Sequence, residues 1–158
     1  MGAHLSPVYE VVPEWLDYNG HMNMAYYSVL FDRASDAFYP EIGVGAEYAK
    51  TRRLSTFTAD FHISYVRELK LGDRVRVKSW ILGHDAKRLH SYQEAWHEEG
   101  WLAASAEAMT LHVDLTGPKV APWPEDVAAK LAAFAARHAP EGTPARAGRK
   151  LALPKRIG

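Results

Sequence analysis

The stretch Asp17-Tyr18-Asn19-Gly20-His21-Met22-Asn23, followed at once by the run from Met24 to Phe38, decides the fold of this chain. Within that run apolar side chains recur at helical spacing: Tyr27, Leu30, Phe31, Ala34 and Phe38. The spacing predicts an amphipathic helix with one buried face. The polar heptapeptide would then stand at the helix N-terminus, where N–H groups lack partners and the dipole is positive. Such a place suits an oxyanion or a developing enolate.

The same heptapeptide has a simpler interpretation as a helix cap. Asp or Asn before an apolar helix is usually an N-cap, and Asn-Gly is a common turn. One helix end needs a single capping residue, whereas this segment carries Asp17, Asn19, His21 and Asn23 at alternating positions. The surplus of polar groups favours a functional site over an elaborate cap, and both interpretations stay open.

Composition limits the chain to a few classes of protein. Its 158 residues with 47% hydrophobic content can build one sizeable core, which predicts a single domain. Lys plus Arg equals Asp plus Glu at 19 each, and no basic block interleaves with aromatic residues. Nucleic acid is therefore not expected as the main partner. No apolar run approaches the roughly 20 residues that cross a bilayer, so we expect a cytoplasmic protein without membrane contact.

The chemistry available to the chain is also limited. The absence of cysteine excludes disulfides, thiolate metal sites and Cys nucleophiles. Eight histidines are present, but their spacing completes no recognisable metal-ligand set, and no phosphate-binding glycine motif occurs. We therefore expect no metal and no nucleotide cofactor, and chemistry that rests on carboxylate, histidine, hydroxyl or backbone groups.

The rest of the chain reads mainly as strands. A short strand candidate at Val8 to Val12 precedes the heptapeptide, and the helix should end before Pro40. After a glycine-containing loop come a strand from Ser55 to Val66, a hairpin formed by two β-rich segments, and a last long strand. The hairpin segments run from Arg74 to Leu82 and from Leu89 to Trp96, and the last strand from Trp101 to Leu115.

The strand from Ser55 to Val66 alternates in polarity. One face would carry Phe57, Ala59, Phe61, Ile63 and Tyr65, and the other Thr56, Thr58, Asp60, His62 and Ser64.

A second helix is expected over residues 124–138, with Pro124 in its first turn and acids near its positive end. Residues 1–138 would form the single domain, and 139–158 an irregular, loosely held basic tail. One long helix covered by an antiparallel sheet is an α+β layout, and the free face or edge of the sheet would favour dimerisation.

This order of elements, with Asp17, Gly20, His21 and Asn23 at the helix mouth, resembles the hotdog-fold acyl-CoA thioesterases of the 4-hydroxybenzoyl-CoA thioesterase type. The resemblance spans most of Val8 to Leu115. The heptapeptide is also similar to the Asp-x-Asn-x-His-x-Asn pattern of plant acyl-ACP thioesterases. Together with Ile-Leu-Gly-His-Asp-Ala-Lys-Arg-Leu-His at 81–90, it resembles the betainyl-CoA thioesterase subgroup, which is linked to carnitine catabolism.

The resemblance implies hydrolysis of an acyl-CoA in a homodimer or dimer of dimers, with the site at the subunit interface and no cofactor beyond the CoA of the substrate. Asp17 falls where the family keeps its catalytic carboxylate, as nucleophile or general base. Backbone N–H groups near Gly20 and His21 would form the oxyanion hole. His21 would polarise the carbonyl or orient Asp17, while Asn19 and Asn23 would hold water or the loop.

Further residues are candidates for substrate binding. Lys87 and Arg88, in the hairpin connection, would bind the phosphates of CoA, against the alternative of a solvated turn. Thr58 and His62 would line the acyl pocket of a partner subunit, although an ordinary interface histidine is the commoner outcome. Five aromatic residues are candidates for binding a trimethylammonium group: Trp15, Tyr18, Tyr26, Trp80 and Trp96. Trp15 and Tyr18 are favoured because they neighbour the heptapeptide, and Tyr26 is included with them as a substrate-binding candidate.

The sequence leaves three alternatives open. A hotdog hydratase or dehydratase would share the fold but needs a His and acid pair over the acyl α and β carbons. A non-catalytic acyl-CoA or betaine binder would keep the basic and aromatic residues and tolerate Asp17→Asn. A cone-shaped α+β domain of the isomerase type is disfavoured because its helices usually precede its strands.

Overall fold

The computed structural model describes residues 2–153, in which an antiparallel sheet packs across a long helix. The helices are α1 Met24–Phe38, α2 Ala46–Arg52 and α3 Glu125–His138. The strands are β1 His4–Leu5, β2 Tyr9–Glu10, β3 Leu54–Tyr65, β4 Arg74–His84, β5 Arg88–His97, β6 Leu102–Asp114 and β7 Lys119–Val120. The α+β hotdog architecture expected from the sequence is confirmed. No helix of residues 2–153 has the length and apolar content needed to span a membrane.

The sheet leaves one long edge without a partner in the described chain. The strand order is β1-β4-β5-β6-β3, with β2 also on β4 and β7 on β6, and all neighbours run antiparallel. The 12-residue strand β3 is therefore an edge. Its apolar side chains Phe57, Phe61 and Tyr65 are exposed. A long apolar edge of this kind is a ready template for pairing with another chain.

Helix α1 owes its position to its apolar face. Its residues Tyr27, Leu30, Phe31 and Ala34 are buried against side chains from the face of β4, β5 and β6 that we call the inner face. At roughly 25 cal/mol per Å², full burial of Leu30 or Phe31 contributes about 1.5–3 kcal/mol each. The interval from Met24 to Phe38 was predicted, and it is the helix observed.

A second apolar cluster extends the core beyond the C-terminal end of α1. There α3 places Val127, Leu131 and Phe134 against Phe38 and the inner-face residues of β4 and β5. Helix α3 therefore packs on the same inner face of the sheet as α1, and not at a sheet edge. The predicted boundary at residues 124–138 differs from the observed helix by one residue, because Pro124 is its N-cap.

The remaining differences from the predicted elements follow from long-range contacts. Helix α2 was expected to be loop; Tyr48 anchors it by donating a hydrogen bond to the buried His112 Nε2 at 2.8 Å. Beyond a short 3₁₀ turn, the described part of the tail has no regular secondary structure, and two hydrogen bonds join it to the sheet. Arg146 donates to Ser64 at 2.8 Å, and the Gly148 N–H donates to the buried Glu107 carboxylate at 2.8 Å. Residues 154–158 lie outside the described part.

Candidate active site

The heptapeptide forms a closed turn around the carboxylate of Asp17. Asp17 Oδ1 accepts the N–H of Asn19 at 2.8 Å and that of His21 at 3.3 Å. The backbone closes the same turn, since the Asp17 N–H donates to the His21 carbonyl at 2.8 Å and the Gly20 N–H to the Asp17 carbonyl at 3.1 Å. Gly20 has φ of 76°, a left-handed conformation that favours glycine. The turn therefore holds Asp17 in one orientation at the helix mouth.

The N-terminus of α1 leaves one backbone amide without an acceptor in the described chain. Asn23 is the N-cap, and its Oδ1 accepts the Ala25 N–H at 2.9 Å. The Tyr26 N–H donates to the Asn23 carbonyl at 3.0 Å, whereas the Met24 N–H has no acceptor among residues 2–153. The amides of Gly20 and His21, expected to form the oxyanion hole, are both engaged within the Asp17 turn. Within residues 2–153 the Met24 N–H is therefore the unpaired backbone donor at this end of α1, and the positive end of the helix dipole lies behind it.

A second acidic residue reaches the turn from the segment after β3. His21 Nδ1 lies 2.8 Å from Glu68 Oε2, and both side chains are partly exposed. The Met22 N–H donates to the Leu69 carbonyl at 2.8 Å, and His21 forms an antiparallel bridge with Lys70. These contacts fix the imidazole beside Asp17 through a residue that lies 47 positions later in the chain.

These groups surround a cavity of about 290 Å³, which we call the mouth cavity. Its walls combine the turn, the first residues of α1 and the end of β3: Asp17, His21, Met22, Met24, Tyr27, Tyr65, Val66, Arg67 and Glu68. Tyr65 donates a hydrogen bond from its hydroxyl to the Met24 carbonyl at 3.1 Å, which ties β3 to the helix mouth. Burial raises the pKa of Tyr27, whose hydroxyl accepts the Leu69 N–H. A carboxylate, an open amide and an imidazole thus share one cavity.

A larger cavity of about 370 Å³ lies further along α1, between the helix and the inner faces of β3, β5 and β6; we call it the helix cavity. Aromatic, hydroxyl, amide and carboxylate groups line it, and none of its lining residues is Lys or Arg: Ser28, Val29, Phe31, Asp32, Ser35, Tyr39, Thr58, Phe61, Ser91, Gln93, Ala108 and Thr110. Burial raises the pKa of Tyr39. Burial and the charge of Asp32 raise the pKa of Asp36, one turn further along α1.

The aromatic residues proposed to hold a cation do not form a cage within one chain. Trp15 is buried and stacks on Tyr26 at 6.0 Å, and the Arg33 guanidinium lies 5.2 Å from the Trp15 ring centre. The Trp15 ring already has a cation and an aromatic neighbour. Tyr18 is 99% exposed. Aromatic groups do line the helix cavity, where Phe31 and Phe61 pack edge to face at 6.5 Å.

Thr58 and His62 lie on opposite faces of β3, contrary to the predicted alternation. The register of β3 against β6 shifts between Thr58 and Asp60, so Thr58 pairs with Thr110 and His62 with Glu107. A β-bulge adds one residue and so exchanges the faces on its two sides. Thr58 therefore lines the helix cavity, while His62 lies on the outer face beside Glu107.

Lys87 and Arg88 lie at the opposite end of the sheet from Asp17. Arg88 pairs with Asp85 at 2.5 Å, and this hydrogen bond, with the Lys87 N–H, lowers the pKa of Asp85 to about 2. Strand β5 carries the chain from this hairpin to His97, at the end of the sheet where the mouth cavity lies. The nine residue-to-residue steps from Arg88 to His97 span about 30 Å. Within one chain these cations do not reach the mouth cavity.

Several residues of the two cavities were not predicted from the sequence. Arg67 and Glu68 carry no local signal, because they enter the mouth cavity only through the pairing of β3 with β6. Asp32 was detectable as an acid on the polar side of α1, but nothing in the sequence placed it beside Phe61 and Tyr39.

Comparison with known proteins places this geometry in a family. The model of the family described as the thioesterase-like superfamily matches residues 11–131. Over 145 residues the chain is 39% identical to a Pseudomonas aeruginosa protein named betainyl-CoA thioesterase, covering 91% of each chain. A Rhizobium meliloti protein named L-carnitine dehydrogenase/betainyl-CoA thioesterase is 39% identical over 137 residues, 85% of this chain and 27% of that protein.

Two solved structures are similar over nearly the whole chain. A putative thioesterase from Pseudomonas putida KT2440 is 34% identical with a TM-score of 0.83, over 98% of this chain and 99% of that one. A hypothetical Staphylococcus aureus protein, described in complex with CoA, is 28% identical with a TM-score of 0.88, over 98% of both chains.

Proposed function

The chain belongs to the thioesterase-like superfamily and hydrolyses an acyl-CoA thioester, and we propose that this thioester is betainyl-CoA. For the site of hydrolysis, the observation that carries the proposal is the mouth cavity, which Asp17 and Met24 both line at the N-terminus of α1. A thioester needs such a pair, because its carbonyl carbon must meet a nucleophile while its oxygen becomes an anion.

The reaction would proceed with the thioester oxygen at the Met24 amide. Asp17 either attacks the carbonyl carbon itself, forming an anhydride that water cleaves, or removes a proton from a water that attacks. In both routes the C–S bond breaks, CoA leaves as a thiolate, and the acyl group ends as a carboxylate. Loss of an oxyanion donor typically costs about 3 kcal/mol of transition-state stabilisation.

The other residues of the turn would act by holding these two groups in place. Gly20 permits the left-handed turn, Asn23 caps α1, and the Asn19 N–H fixes the Asp17 carboxylate. His21, aligned by Glu68, lies beside the cavity and orients Asp17 or polarises the substrate carbonyl. No metal or cofactor beyond the CoA of the substrate is part of the proposal; residues 2–153 hold no cluster of three His, Asp or Glu side chains suited to a metal.

The acyl group would enter the helix cavity. A betainyl group carries a permanent positive charge two bonds from the carbonyl carbon, and this cavity offers aromatic rings and the Asp32 carboxylate with no cationic side chain in its lining. We propose this cavity, rather than Trp15, Tyr18 and Tyr26, as the place that accepts the trimethylammonium group. The names of the curated relatives support a role in carnitine catabolism. We place the reaction in the cytoplasm, as expected from the sequence.

We further propose that the working unit is a homodimer joined through the β3 edges, alone or within a dimer of dimers. Pairing two antiparallel copies of β3 about a twofold axis would satisfy the open edge and cover Phe57, Phe61 and Tyr65. The axis reverses the direction of the partner's sheet. Lys87 and Arg88 of each copy would then lie toward the mouth cavity of the other, where phosphates of CoA extend.

The test is release of free thiol from a panel of CoA thioesters by the native protein and by Asp17→Asn. The panel includes betainyl-CoA, 3,3-dimethylbutyryl-CoA as its uncharged isostere, short aliphatic acyl-CoA and an aromatic acyl-CoA. We expect betainyl-CoA to be the best substrate and Asp17→Asn to lose nearly all activity. The chain has no cysteine, so it adds no thiol background.

Two outcomes would contradict the proposal. Preference for the uncharged isostere over betainyl-CoA would refute the assignment of the acyl group. Binding without thiol release from any thioester would favour a binding protein, or a hydratase if an enoyl-CoA gains water.

A further inference from the structure

The guanidinium of Arg67 lies at the wall of the mouth cavity, where the residue is exposed. It lies over the ring of Trp101, with 4.1 Å between the guanidinium carbon and the ring centre. Trp101 in turn stacks on His97 at 4.3 Å with 10° between the planes. His97 is buried and is itself fixed, since its Nδ1 accepts the Glu99 N–H at 3.1 Å. The three stacked groups pre-organise a side chain that is usually flexible.

The stacked guanidinium keeps its hydrogen-bond donors available. The ion pairs within residues 2–153 include its neighbour Glu68, which pairs with His21, but they do not include Arg67. The backbone N–H of Arg67 has its own acceptor, since it donates to the Ala103 carbonyl at 3.0 Å. Arg67 therefore faces the cavity as a cationic donor whose five N–H groups have no carboxylate partner there.

The distances along the CoA arm indicate which of its hydrogen-bond acceptors the Arg67 guanidinium can reach. With the thioester oxygen at the Met24 amide and the acyl group in the helix cavity, the sulfur and its arm leave through the exposed side of the mouth cavity. The first amide carbonyl of the pantetheine arm lies five bonds from the sulfur, roughly 5 Å away. The diphosphate lies more than about 12 Å away. Arg67 and Asp17 line the same cavity of about 290 Å³. The acceptor within reach of Arg67 is therefore the amide and not the diphosphate.

We propose, on the basis of the function proposed above, that Arg67 binds the first amide carbonyl of the pantetheine arm and so positions the thioester carbon at Asp17. Trp101 and His97 are positioning residues that act through Arg67. The substrate is then recognised at three points: its acyl group, its thioester oxygen and the amide next to the thiol. Thioesters without that amide are poor substrates, whatever their acyl group.

The test compares one acyl group on three thiols: CoA, N-acetylcysteamine, which keeps only the first amide, and ethanethiol, which has none. Arg67→Gln is expected to lower kcat/KM about 10-fold for the first two thioesters, mainly through KM, and to leave the S-ethyl ester within about 2-fold. Trp101→Leu should show the same pattern to a smaller extent. Arg76→Gln, an exposed arginine on β4, is the matched control and should change none of the three.

Each other pattern would overturn the proposal. A loss with CoA alone assigns Arg67 to a phosphate, an equal loss on all three thioesters assigns it to the chemical step or the fold, and no loss removes it from the site. Equilibrium binding of pantetheine, which needs no turnover, is the second readout and should weaken about 10-fold in Arg67→Gln. If the native protein releases no thiol, the proposed function fails, while this binding measurement still decides the role of Arg67.

Discussion

Replacing Asp32 with Asn tests whether the protein recognises the charge of its acyl group. Asp32 lines the helix cavity and is exposed, so the isosteric change removes a charge with little effect on packing. It lies eight residues after Met24, about 12 Å along the helix axis, and its side chain leans back toward the helix N-terminus. The ammonium of a betainyl group lies about 2.5 Å from the carbonyl carbon, which leaves roughly 9 Å between the two charges.

The size of the effect follows from Coulomb's law. At roughly 9 Å the attraction is about 2 kcal/mol for an effective dielectric constant near 20 and about 0.5 kcal/mol for water. Asp32→Asn should therefore lower kcat/KM for betainyl-CoA between about 2-fold and 20-fold. The uncharged isostere 3,3-dimethylbutyryl-CoA has the same shape and should lose nothing. The assay is thiol release with both substrates, measured at low ionic strength.

A matched control and an independent readout accompany this variant. Asp36 lies one turn further from the helix mouth, so Asp36→Asn should have a smaller effect on betainyl-CoA. The charge of Asp32 contributes to the raised pKa of Asp36, and Asp32→Asn should lower that pKa in a carboxyl titration by NMR. Equal losses of kcat/KM for the charged and uncharged substrates, which leave the ratio of the two values unchanged, would refute charge recognition.

Three further predictions concern catalysis, assembly and stability. Asp17→Asn should abolish thiol release but keep a free energy of unfolding within about 1 kcal/mol of the native value, because the amide oxygen can still accept the two turn N–H groups. Asp17→Ala should lower the free energy of unfolding by about 1–2 kcal/mol in urea denaturation. Equal stability of the two variants would contradict the turn described above. Ala59→Lys, near the middle of β3, should bring two like charges together across the dimer axis. Sedimentation equilibrium should then show a dimer dissociation constant raised about 10-fold or more. An unchanged dissociation constant would place the interface elsewhere. Burial lowers the pKa of His138, whose Nε2 accepts the Ile81 N–H at 3.0 Å. Its contribution to stability is therefore intact above the unfolded-state pKa of 6.5 and is lost as the pH falls from there toward the folded-state pKa. Denaturation between pH 7.5 and 5 should show this loss of stability in the native protein and a smaller one in His138→Gln.

Local signals explain what was predictable. The interval of α1 and the Asp17 turn were both recognisable because helical periodicity, capping and turn-forming residues act over a few positions. The long strands were found within a few residues for the same reason. Short strands such as β1 and β7, and helix α2, were missed because two-residue pairings and the Tyr48–His112 hydrogen bond depend on distant partners.

The sequence by itself determined the α+β class, the central helix and the polar turn at its mouth, since these arise from the order of neighbouring side chains. The tertiary structure decided which groups share the site. The bulge in β3 separated Thr58 from His62, and strand length separated Lys87 from Asp17. The pairing of β3 with β6 brought Arg67 and Glu68 to the mouth cavity. Strand register and side-chain stacking are set by contacts between residues far apart in the chain, so no local pattern encodes them.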